Sequence, residues 1–119
     1  MILAIALTHL FSSCEKAVVY NGNVSVSLLH NQQVVPAFQV YYYTGEPLKD
    51  SLGNIIYQGM QLSDIDGNAT FKQLTPGPYH FTASGIQKGN GKILKADTNI
   101  TVRKRYRAES NYQLTLELR

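Results

Sequence analysis

The 119-residue chain, 13.3 kDa, is 44% apolar, 10% aromatic and 16% charged, which suits one folded domain and excludes wholesale disorder. Its single cysteine excludes both an internal disulfide and a zinc site built on several thiolates. A net charge of +3 is too mildly basic for a dedicated nucleic-acid binder, so no nucleic-acid partner is expected.

Residues 1–13 carry no charge, and nine of the thirteen are apolar. The run is shorter than the roughly 20 residues that span a bilayer, and it fits the apolar core of an export signal. Small Ser12 and Ser13 follow it, then Cys14. Leu10-Phe11-Ser12-Ser13-Cys14 resembles the lipobox of bacterial lipoproteins, with Phe11 bulkier than the pattern usually carries. That resemblance implies cleavage before Cys14, acylation of its thiol and a membrane anchor at the bacterial envelope, with the outer membrane as the expected location. The expected division is a signal peptide at 1–13, a short tether at 14–21 and a folded domain at 22–119. The competing reading makes 1–13 part of the domain and Cys14 a core thiol.

From residue 22 onward the apolar residues recur every second position, as in half-buried strands. Val24, Val26 and Leu28 alternate with Ser25 and Ser27, and Phe38, Val40 and Tyr42 alternate with Gln39, Tyr41 and Tyr43. Residues 44–54 hold Gly45, Pro47 and Gly53 and read as an irregular loop, and 55–62 is a less regular strand candidate. Ala69 and Phe71, then Tyr79, Phe81 and Ala83, continue the pattern. A strand is expected over 93–102, and Tyr112, Leu114, Leu116 and Leu118 form the last one. Asn21-Gly22, Asp66-Gly67, Pro76-Gly77 and Gly89-Asn90-Gly91 punctuate these runs as turns with positive φ. About seven short strands predict a single all-β domain, an antiparallel β-sandwich. Its expected interior is Val24, Val26, Val40, Phe71, Leu74, Tyr79, Phe81, Ile100, Leu114 and Leu116.

Asp64, Gly67, Ala69, Phe71, Leu74, Pro76, Gly77 and Tyr79 together resemble the carboxypeptidase regulatory-like and Cna-B-like domains. The resemblance implies a transthyretin-like (prealbumin-like) sandwich over about residues 22–119. It says little about function, because the matched positions shape turns and core. Independently of it, Asp66-Gly67 suits a tight hairpin and Pro76-Gly77 a type II turn, and Tyr79 is expected to bury its ring and donate its hydroxyl to a backbone carbonyl.

Candidate chemistry is sparse. Asp64-x-Asp66-Gly67-Asn68 puts two carboxylates two residues apart, but the spacing of an EF-hand loop is absent and a plain turn is expected, with no metal and no cofactor. Arg103, Lys104, Arg105 and Arg107 place four cations within five residues, suited to phosphate, lipid headgroups or acidic glycans, or simply to guarding a sheet edge. Tyr41 and Tyr43, on one face of their strand, are with Tyr57 candidates for a sugar-stacking surface. No Ser-His-acid spacing stands out, and no catalytic residue is assigned. The terminal signature of the transthyretin-related hydroxyisourate hydrolases has only a distant echo in Tyr106-Arg107-Ala108-Glu109, so that activity is set aside. The expected function is a non-catalytic, lipid-anchored β-sandwich module acting in adhesion, assembly or ligand presentation. The alternative is an accessory lipoprotein that binds carbohydrate or an envelope polymer.

Overall fold

Burial alternates residue by residue along the first strand, β1 (Gly22–His30), with Val24, Val26 and Leu28 fully shielded and the serines between them facing outward. The computed structural model describes residues 19–119, and within them nine more strands follow: β2 (Gln33–Val34), β3 (Gln39–Thr44), β4 (Leu48–Lys49), β5 (Ile55–Ile56), β6 (Gly59–Leu62), β7 (Asn68–Leu74), β8 (Gly77–Ile86), β9 (Ile93–Val102) and β10 (Ser110–Glu117). Seven of the ten have four or more residues, in line with the expected strand number. Residues 1–13 and Cys14 lie outside the described residues, as does most of the expected tether.

The strands form an all-β sandwich of two four-stranded sheets. In one, β1 lies between β10 and β7, with β2 continuing along β1 where β7 ends. In the other the order is β6-β3-β8-β9. Every pairing is antiparallel except one: β1 and β10 run parallel over eight residue pairs, from Gly22↔Ser110 to Leu29↔Glu117. The fold is the expected antiparallel sandwich with this one parallel pair added. Alternation reports which face a residue occupies and is blind to the direction of the neighbouring strand. The parallel pair makes both strands start at one end of the sandwich and finish at the other.

The interior is a contact between aromatic residues of the two sheets. Phe81 of β8 lies 5.2 Å from Phe71 of β7, and Tyr42 of β3 meets Phe71 edge-on at 5.4 Å. All eight of Val24, Val26, Val40, Phe71, Leu74, Tyr79, Phe81 and Leu116 are buried, and Ile100 and Leu114 are half-buried against them. The Tyr79 hydroxyl donates to the Thr75 carbonyl at 2.7 Å, as its sequence context predicts. Burial, and then the neighbouring Tyr79 phenol, raises the Tyr42 hydroxyl above the ordinary phenol range. Gly59, opposite Tyr42, leaves room for that ring, and a Cβ there would overlap it.

Three turn expectations need correction. Asp66-Gly67 does not close a hairpin, because β6 and β7 belong to different sheets; the turn carries the chain across the sandwich. Gly22 is not a positive-φ turn residue but the first residue of β1, and its lack of a side chain admits Val102 and Ser110. Gly77 has φ of 146°, more extended than the type II position requires, and already belongs to β8. Residues 44–54 are also more regular than expected, since β4 lies within them and pairs with β5 just beyond as a small hairpin.

Candidate functional site

Asp50 and Asp64 form the same turn at two places. In each, one carboxylate oxygen accepts from the backbone N–H groups two and four residues on, all at 2.9 Å, and the glycine three residues on donates to the aspartate carbonyl. The shared sequence Asp-x-x-Gly-Asn, at 50–54 and 64–68, is the signal that would have found the first of them. Asp64 thus uses one oxygen to shape the backbone, which is the plain-turn reading of this acidic pair. Among the described residues no three His, Cys, Asp or Glu side chains converge.

Three surfaces remain. The first is the outer face of the second sheet, where β3 presents Tyr41 and Tyr43 while Tyr42 points inward. Tyr57 stacks on Tyr41 at 4.9 Å and lies 6.2 Å from Tyr43, and Tyr43 in turn stacks on His80 at 4.9 Å. The His80 ring meets Asn99 at 2.6 Å and lies 3.7 Å from the Asp97 carboxylate. The rings therefore form a row in which each spends one face on a neighbour. A sugar stacks on a ring face, and one face of each ring here is already taken by its neighbour.

The second surface is the end of the sandwich where the described chain enters. Here the loop between β9 and β10 carries Arg103, Lys104, Arg105 and Arg107, all exposed, together with exposed Tyr106. The loop is tied at three points. The Arg103 N–H donates to the Tyr112 hydroxyl at 2.9 Å, and the Arg105 carbonyl accepts from the Tyr20 N–H at 2.8 Å. At its far side the Glu109 carboxylate accepts from Gln73 at 2.8 Å and Asn23 at 3.0 Å. Gln73 holds φ at 60°, uncommon for a residue with a side chain, and its N–H donates to Asn23 Oδ1 at 3.1 Å. The Arg103 N–H, with the nearby Arg103 and Arg105 charges, keeps the Tyr112 phenol below its usual range. The cations follow the end of β9, which is two strands from β3 in the sheet order.

The hydrogen bonds from Gln73, then from Asn23, hold the Glu109 carboxyl below the ordinary carboxylate range. A group lowered on folding adds stability above its unfolded value, and that stability is lost as pH falls through the folded value. The melting temperature is therefore expected to decline as pH drops below about 4, and Glu109→Gln should flatten part of that decline. Calorimetry from neutral pH downward measures it. An unchanged acid profile in the variant would mean that the clamp contributes nothing.

The third surface is the opposite end, and sequence reasoning missed it. A cleft of about 300 Å³ opens there between the segment around Val34, Val35 and Phe38 and the residues Ile86 and Leu94. Val34 and Ile86 in its lining are more than half exposed, as are Ile93, paired with Ile86, and Ile65, in the turn whose Gly67 packs on Val34. The 35–38 segment of its wall is tied by buried Ser63, whose hydroxyl accepts from the Phe38 N–H at 3.0 Å and donates to the Val35 carbonyl at 2.7 Å. The Phe38 ring lies flat over Gly85, where a Cβ would come within 2.9 Å of it. His30, at the end of β1, donates from its ring to the Leu118 carbonyl at 2.9 Å and lines the same cleft. Val34, Ile65 and the pair Ile86 and Ile93 come from three separate turns that only the fold brings together, so no local signal marks the cleft.

These features define the described chain as a β-sandwich module with two dissimilar ends, one basic and one apolar. No family model matches the chain, and no curated protein matches it. Among solved structures it is similar to BcpA, the major pilin subunit of Bacillus cereus, with a TM-score of 0.48 and 11% identity. The match covers 82% of this chain and 30% of the pilin, so the chain spans under a third of that protein's length.

Proposed function

We propose that the chain is a non-catalytic module of the bacterial envelope, held by an acylated Cys14 and acting in adhesion, assembly or ligand presentation through the end farthest from the anchor. The observation that carries this reading is the placement of the two ends. Tyr20, six residues after Cys14, is pinned beside the basic loop, and the apolar cleft lies at the other end of β1. With about 3.3 Å per residue, nine residues of β1 set the cleft some 30 Å from the point of entry. An anchored module arranged this way turns its apolar end outward. The parallel pairing of β1 with β10 supports it, since both strands lead from the entry end to the cleft. The anchor is tested by phase partitioning of the full chain between detergent and water.

The alternative, an accessory lipoprotein that binds carbohydrate or an envelope polymer, rests on Tyr41 and Tyr43. Their stacking against Tyr57 and His80 gathers four rings on the outer face of the second sheet. A glycan array is expected to show no binding by the full chain. Binding that disappears in Tyr41→Ala and Tyr43→Ala would favour the alternative.

A further inference from the structure

We propose that the loop between β9 and β10 rests on the anionic headgroups of the membrane that holds the chain, acting as a second, electrostatic contact beside the acyl anchor. The proposal deepens the anchored-module reading and relies on it for the identity of the surface. Two independent observations carry it.

The first is the chemistry of the loop. Arg103, Lys104, Arg105 and Arg107 are exposed, and among the described residues none of them makes an ion pair. The one carboxylate close in sequence, Glu109, already accepts two side-chain hydrogen bonds away from the cations. Tyr106, 59% exposed, stands in their midst. A tyrosine among cations suits the boundary between headgroups and acyl chains, where its ring is half desolvated and its hydroxyl stays wet. Neither an isolated strand guard nor a solvated turn calls for that aromatic.

The second is position. The Tyr20–Arg105 backbone bond ties the loop to the residue from which the chain leads back to Cys14. Six residues reach at most about 20 Å, so a lipid on Cys14 keeps the loop within reach of the bilayer surface. The tied loop also loses little freedom on contact, because its backbone is already held at Arg103 and Arg105 and the Glu109 side chain is fixed at its far side.

The test uses the full chain carrying Cys14→Ser, which has no acyl group, and vesicles of phosphatidylcholine alone or with about a third phosphatidylglycerol. Any contribution from residues 1–13 is common to both vesicles, so the difference between them isolates the charges. Cosedimentation should show a clear preference for the anionic vesicles, lost at about 0.5 M salt. Lys104→Gln with Arg107→Gln should weaken binding to anionic vesicles about 30-fold, with an unchanged melting curve. Arg103→Gln with Arg105→Gln, which leaves the backbone ties intact, should give a similar loss. Equal binding to the two vesicles would overturn the proposal, as would a preference that survives both pairs of substitutions. Preferential binding to double-stranded DNA over anionic vesicles would also overturn it. Failure of the anchor is read separately from the mass of the N-terminus, because the vesicle preference of the Cys14→Ser chain does not depend on acylation.

Discussion

Phe81→Ala is expected to lower the free energy of unfolding by about 3–5 kcal/mol, a large share of the roughly 5–15 kcal/mol that holds a small domain together. Phe81 is fully shielded from solvent, and its ring lies 5.2 Å from Phe71, 5.7 Å from Tyr42 and 6.2 Å from Tyr79. Truncation removes the hub of this group and leaves a cavity that three large rings cannot close without leaving their rotamers. The loss therefore combines the transfer of the ring with the void that remains. Urea titration checks it: the midpoint should fall while the slope stays as in the parent chain. A loss below about 1 kcal/mol would mean that the two sheets do not meet at this ring.

Cys14→Ser is expected to move the full chain from the detergent phase to the aqueous phase, or to leave it with residues 1–13 still attached. A serine hydroxyl cannot form the thioether through which a lipoprotein is anchored. Each buried CH₂ contributes about 0.8 kcal/mol, so losing two or three acyl chains removes far more than the basic loop supplies. The motivating observation is the only cysteine of the chain, placed directly after an uncharged apolar leader and two serines. A core thiol would instead leave partitioning unchanged and lower stability. Western detection of the chain in the two phases, with the parent chain as reference, separates these outcomes.

How legible the fold was follows from what alternation can report. Period-two patterning placed Val24, Phe71, Phe81 and Leu116 in the interior because each strand of a sandwich has one wet face, and neighbouring residues must choose. Tyr79 was legible down to its hydroxyl because a buried phenol needs an acceptor, and the turn before it supplies the Thr75 carbonyl. Strand partners were not legible. The parallel pairing of β1 with β10 joins residues almost ninety positions apart, and no local signal encodes its direction. The turn at 64–68 was recognised as a turn, but whether it closes a hairpin or crosses between sheets depends on those same distant partners. The Asp-x-x-Gly-Asn repeat at 50–54 was readable in principle, since it matches the later turn at three positions.

The candidate surfaces divide in the same way. Tyr41 and Tyr43 were placed on one face by alternation, and their stacking with Tyr57 and His80 required the fold. The basic cluster was visible as a run, while its tie to Tyr20, which gives it a place relative to Cys14, joins residues 85 positions apart. The apolar cleft had no sequence signature at all. Val34, Ile65, Ile86 and Ile93 are each unremarkable alone, because single exposed apolar residues are common on protein surfaces.

Mass spectrometry of the mature N-terminus, on protein taken from the cells that naturally make it, tests the anchored-module account most directly. The account predicts that Cys14 is the first residue, with a diacylglyceryl group on its sulfur and an acyl group on its amine. A chain that keeps residues 1–13 and carries an unmodified thiol at Cys14 would contradict it.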